Sequence, residues 1–360
     1  MVETKSWNRW RESIVALQDD RGEQLMIELQ ARDAWNQRDF VRAQELAERG
    51  ADLAVACNDE AAWWNATFLV SEALRKQGRM QDSLETAATL EEHPLTHASI
   101  ALSARVATLK SFALQGTGAL GPAVAAARTA VQLAGDEPGQ KSIRMEAQNA
   151  LIASLADSDQ LDGAWQESQV LADLLATEPP TQTTGLGYWA IGNVAFLLKH
   201  IDEAVAYHRL AAEHLSPSND LALWARFNRA SAALRLTAAV TGPETLECIE
   251  RAELASSIVG GSERDRLELK LTRAQWLVLT GQYDLAVDQL ASIIEHQHLL
   301  ASHTAAQAHF LLGEALLSNR EVEPAREHLT ISEGLFLQSG AEDRAAKARG
   351  LLQGMDAALG

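Results

Sequence analysis

Two groups of residues in this 360-residue chain have the types and spacing that chemistry uses. Gly116-Thr117-Gly118-Ala119-Leu120-Gly121 fits the G-x-G-x-x-G pattern, with Asp136 downstream. That pattern seats a pyrophosphate at a helix N-terminus, and it needs a strand just before the loop. Leu109 to Gln115 reads as helix, so the glycines are expected at an inter-helix turn instead. The second group is His296, His298, His303 and His309, with Glu295 beside them. Two helical residues two apart point roughly 200° away from each other, so His296 and His298 share a metal only where the chain is not helical. Ordinary polar residues around a loop are the expectation here. The chain has no H-E-x-x-H, no paired-cysteine ligand set, no G-x-S-x-G and no Walker lysine loop. No catalytic residue, no metal and no cofactor is therefore assigned.

The elements that would position any site follow a period. A bulky apolar residue, two spacers and a small residue recur as Phe40…Ala43, Met80…Ser83, Leu120…Ala123, Leu161…Ala164 and Ile201…Ala204. After a degenerate copy near Pro243 they return as Tyr283…Ala286 and Val322…Ala325. Self-similarity close to forty residues marks a solenoid of stacked helix pairs. Such a chain escapes the size limit of a single core, because each repeat only covers its neighbours. With 47% hydrophobic residues and only 8 prolines, the composition favours helix.

Formal net charge is −18, from 49 acidic and 31 basic residues. A field of that sign repels phosphate backbones, so no direct nucleic-acid partner is expected. Cys57 and Cys248 stand alone and far apart, as reduced thiols in a cytoplasmic protein do. Met1 to Asp20 is charged throughout and reads as no signal peptide, and no stretch has the length of a membrane span.

Residues 5–18 place Trp7, Trp10, Ile14 and Leu17 on one helical stripe. A capping helix lying on the first repeat is expected, with a partner-docking helix, a linker, or a homo-oligomer contact through Trp7 and Trp10 as alternatives. Domain organisation reads as 1–22 for this N-terminal helix, 23–180 for repeats one to four, 181–340 for repeats five to eight, and 341–360 for a C-terminal capping helix with Arg344, Lys347 and Arg349 on its outer side. The first helix of repeat three has no readable register. Pro179 to Gly187 reads as a linker, hinge or long inter-repeat loop.

Three stretches resemble tetratricopeptide repeats (TPR). Tyr188-x-x-Ile191-Gly192 and His309-x-x-Leu312-Gly313 are similar to the family's aromatic-x-x-Leu-Gly start. Gly281-Gln282-Tyr283-Asp284-Leu285-Ala286 is similar to its mid-turn signature. The period is longer than the usual 34 residues, as in bacterial signal-sensing regulators and their peptide-responsive relatives. The resemblance implies an all-α right-handed superhelical solenoid of about eight TPR-like helical hairpins with terminal capping helices. It also implies a concave groove lined by first helices, where an asparagine clamps a peptide backbone. Asn193, directly after Gly192, matches that place; Asn228 with Arg229 lies near it in repeat six, and Asn149 less securely in repeat four. Trp189 and Phe196 would floor the groove. The alternative is that Asn193 bonds within its own repeat while the aromatics fill inter-repeat core. The expected function is non-enzymatic capture of a protein or peptide partner, basic or uncharged in this acidic field, or a regulatory sensor controlling a separate transcriptional or signalling protein.

Overall fold

The computed structural model describes residues 21–135, 138–260 and 262–359. The Trp7/Trp10 stripe lies outside the described residues, and so does Asp136.

Among the described residues the chain is all-α, with eight helical hairpins and a terminal helix. The pairs are α1 (21–36) and α2 (Phe40–Ala56), then α3 (Glu60–Lys76) and α4 (Met80–Glu91). A five-residue helix, α5 (Pro94–Ala98), precedes α6 (Ile100–Gly116) and α7 (Leu120–Ala134), and α8 (Lys141–Asp157) pairs with α9 (Leu161–Leu175). The later pairs are α10 (Gln182–Leu197) and α11 (Ile201–His214), α12 (Leu221–Thr237) and α13 (Pro243–Val259), α14 (Glu263–Leu279) and α15 (Tyr283–Ile294), and α16 (Ser302–Ser318) and α17 (Val322–Gln338). Helix α18 (Glu342–Leu359) follows. The chain forms two compact units, Met1–Glu178 and Pro179–Gly360. Within the first, α2 packs on α3, α4 on α6 and α7 on α8; within the second, α13 packs on α14, α15 on α16 and α17 on α18.

The small residues of the period mark where the two helices of a hairpin cross. Ala43, Ser83, Ala123, Ala164, Ala204, Ala286 and Ala325 are all fully buried. The degenerate copy is Thr245, also fully buried, whose hydroxyl donates to the Val240 carbonyl. On the partner helix the facing residue is small too. Ser71 donates to the Ser83 carbonyl at 2.8 Å, and Ser111 to that of Ala123 at 3.0 Å. Gly192 and Gly313 hold the same place, where an added Cβ would stand 3.3 Å from the carbonyls of Ala204 and Ala325. The backbones approach too closely for larger side chains.

The turns repeat as well. Asp39, Arg79, Ala119, Gln160, His200, Val240, Gln282 and Glu321 each donate a backbone N–H to the carbonyl five residues back. This is the Schellman closure, and it needs one residue in the left-handed region. Gly78, Gly118 and Gly281 take it freely, whereas Arg38, Asp159, Lys199, Ala239 and Arg320 take it against the Cβ penalty.

Two sequence readings change. Repeat three has no readable register because α5 is inserted after His93, with Pro94 in its first turn, and because α6 is apolar on most sides. The linker reading of Pro179 to Gly187 narrows to residues 179–181, which open the second unit: Thr181 caps α10 in a reciprocal capping box with Thr184, so residues 182–187 are helical.

Candidate functional site

The glycine pattern at 116–121 spans the end of α6, the turn and the start of α7, with helix before it rather than a strand. Its Gly118 supplies the positive φ of the turn and has no phosphate-cradle geometry around it.

The histidines do not converge either. His296 follows α15, donates to the Ser292 carbonyl and is exposed; a short 3-10 turn covers Gln297–Leu299. His309 is buried and its Nδ1 lies 2.9 Å from Nδ1 of His328, while its Nε2 lies 3.1 Å from Oε1 of Gln297. Burial, then the neighbouring His328, pushes His309 down to about 4, and burial lowers His328 as well. Among the described residues no group of three or more ligating side chains comes together.

In the second unit two of the predicted residues, Asn193 and Phe196, meet a buried histidine. His208 stands where other second helices carry Ala47, Ala87, Ile249, Leu290 or Leu329, and it is 1% exposed. Its Nδ1 lies 2.9 Å from the Ser231 hydroxyl and its Nε2 lies 3.1 Å from Oδ1 of Asn193. Phe196, buried, and Phe227 meet the imidazole edge-on. Gly192 makes room for this ring, since a Cβ there would collide with it. Burial first, then Arg235, lowers the imidazole to about 3. Asn193 is half-buried and its carbonyl is engaged inside its own hairpin. Trp189 is half-buried and meets Phe227 edge-on. Asn228 is fully buried and donates to the Trp224 carbonyl of its own helix, which takes it out of reach of a peptide. Arg229 pairs with Asp265 at 3.6 Å.

The first unit holds a hollow that sequence reading missed. A cavity of about 360 Å³ opens between α1, α2, α3 and α6, with Glu28, Arg32, Trp35, Phe68, Glu72 and Arg105 among its lining residues. Two arginines cross between α3 and α6. Arg105 lies over Phe68 with its guanidinium carbon 4.1 Å from the ring centre, and Arg75 lies over Phe112 at 4.9 Å. Each stack keeps a cation on an aromatic face. Arg75 also pairs with Glu72 at 2.9 Å. Glu146 on α8 remains open to solvent yet is crowded by protein, as a side chain on a hollowed face is. Crowding first and the Glu72 charge second hold its carboxyl above the usual range, against Arg105 and Arg75. Asn149 lies one turn further along α8, half-buried, with Oδ1 buried and unbonded. The signal for this hollow was present in the sequence as aromatics and charges sharing first-helix faces, a pattern that solvated helices also show.

These features define a class. Close-packed helical hairpins, a small residue at each crossing and hollows on first-helix faces make this a TPR-like helical repeat protein. No protein-family model matches the chain, and no curated protein does. Solved structures do match in fold. A Rap protein solved in complex with Competence and Sporulation Factor superposes with a TM-score of 0.53 at 11% identity, over 94% of this chain and 98% of that one. Aspartyl phosphate phosphatase F from Bacillus subtilis superposes with a TM-score of 0.51 at 12% identity, over 79% of this chain and 75% of that one. The likeness is one of fold. No helix among the described residues is long and apolar enough to cross a membrane.

Proposed function

We propose that the chain is a non-catalytic scaffold that captures an extended peptide or protein segment on the faces of its first helices. The observation that carries this reading is the hollow between α1, α2, α3 and α6. It combines an apolar floor of Trp35 and Phe68 with Glu28, Arg32, Glu72 and Arg105 around it, the mixture of a few polar groups over an apolar base that ligand sites use. Trp189 and Asn193 are the contributions proposed from the second unit, as half-exposed side chains on α10. Formal charge of −18 favours a basic or uncharged segment.

The second reading is a regulatory sensor that binds a peptide signal and acts on a separate signalling protein. It is favoured by the fold it shares with a Rap protein solved together with Competence and Sporulation Factor. The two readings share the first-helix faces and differ in whether capture changes a second protein's activity.

Selection of a random peptide display library on the purified full chain tests both. Enriched peptides whose capture weakens in Arg105→Ala, or in Asn193→Ala, with helical content unchanged, are expected. Absence of any enriched peptide, or enrichment indifferent to both substitutions, overturns the proposal.

A further inference from the structure

Helix α1 presents an apolar face whose counterparts in several later hairpins are covered. Met26 stands seventeen residues before Ala43, and Leu29 fourteen. Counted in the same way from the later small residues, the places of Met26 are held by Val106, Ala147, Leu269 and Ala308, which are 1%, 0%, 5% and 0% exposed. Those of Leu29 are held by Leu109, Ala150 and Leu311, at 2%, 0% and 3%. The counterparts Ala66 and Leu69 on α3, Ala190 on α10 and Thr272 on α14 are half-buried. The cover comes from the preceding hairpin, through contacts such as α4 with α6, α7 with α8 and α15 with α16. Met26 and Leu29 are 55% and 52% exposed, and Leu25 beside them is 57% exposed. Two large apolar side chains, Met26 and Leu29, thus stand open at a stacking register that is core in α6, α8 and α16, with Leu25 exposed beside them.

We propose that residues 5–18 of this same chain seat on that face, with Trp7, Trp10, Ile14 and Leu17 covering Leu25, Met26 and Leu29. The four residues share one helical stripe, complementary in character to the open face. The segment joins α1 through Asp19-Asp20, so docking is intramolecular and has an effective concentration in the millimolar range. Charge favours it as well. Lys5, Arg9 and Arg11 against the single Glu12 make this stretch cationic in a chain of net charge −18. The surface would then be the solenoid's own N-terminal cap, of the kind repeat proteins use to close an exposed stacking face.

A benzophenone-bearing amino acid placed at position 29 of the full chain tests this. Irradiation and peptide mapping should give a crosslink to residues 5–18 within a single chain that migrates as a monomer. Trp7→Ala with Trp10→Ala should lower that yield by about fivefold or more, because the two indoles supply most of the apolar area. Crosslinks joining two chains would make the face a homo-oligomer contact and overturn the proposal. So would crosslinks to other parts of the same chain, or none.

Discussion

His208 sets the clearest consequence at the scale of single residues. Its imidazole is neutral in the folded chain, held down to about 3 by burial and then by Arg235. In the unfolded chain it titrates near about 6.5. Below that value the unfolded chain takes up a proton that the folded chain refuses, so stability falls as pH falls from about 6.5 towards 3, at up to roughly 1.4 kcal/mol per pH unit from this residue. Above that range the full contribution is present. His309, shifted in the same direction, steepens the loss between about 6.5 and 4. Urea denaturation at pH 7 and at pH 5 measures the slope, and His208→Leu should flatten it. An unchanged slope in that variant would show that His208 is not the group responsible. The substitution is conservative in position, since Leu290 and Leu329 occupy the same register in later hairpins.

At the scale of elements, the turn inside each hairpin is the least optimised part. Lys199 adopts φ of 62° and Ala239 one of 57° at the place that Gly78, Gly118 and Gly281 hold in other hairpins. A residue with a Cβ pays roughly 1–2 kcal/mol there, partly offset by the freedom that glycine adds to the unfolded chain. Lys199→Gly should therefore raise stability by about 0.5–1 kcal/mol, read as a shift in the urea midpoint with the slope unchanged. A lower midpoint would mean that the side chain carries a compensating contact. The same elements explain what was legible beforehand. The period of small residues was readable because helix crossings tolerate only Gly, Ala, Ser or Thr, and that constraint survives in any surroundings. Thr245 was harder to see because Gly242 stands three residues before it, where the pattern asks for a bulky apolar residue. The α5 insertion hid the register of α6, since a five-residue helix carries no periodic signal of its own.

The proposed binding surface was less legible, for a physical reason. Asn228 shares its residue type with Asn193, yet one is fully buried and the other half-buried. An amide serves equally as a core hydrogen-bonding group and as a peptide clamp, and its sequence neighbourhood is the same in both roles. Arg105 and Phe68 lie on different hairpins, so their stacking depends on how helices are placed against each other and leaves no local spacing to read. What packing brings together, sequence adjacency does not reveal.

At the scale of the molecule, each unit is built from the same hairpin, and the residues on first-helix faces differ from one hairpin to the next. The residues there range from Glu28 and Arg32 to Phe68, Arg105 and Glu146 in the first unit, and include Trp189 and Asn193 in the second. Crossings and turns are held constant while these faces differ, which is the arrangement expected of a scaffold whose specificity resides on one side of its helices. Calorimetric titration of a display-selected peptide into the full chain tests that claim most directly, with Phe68→Ala compared against Val55→Ala, an exposed residue on a second helix. The expected result is a loss of affinity of about tenfold or more for Phe68→Ala, the removal of one aromatic contact, and no change for Val55→Ala. Equal affinity in the wild type and Phe68→Ala, or a loss confined to Val55→Ala, would contradict the account.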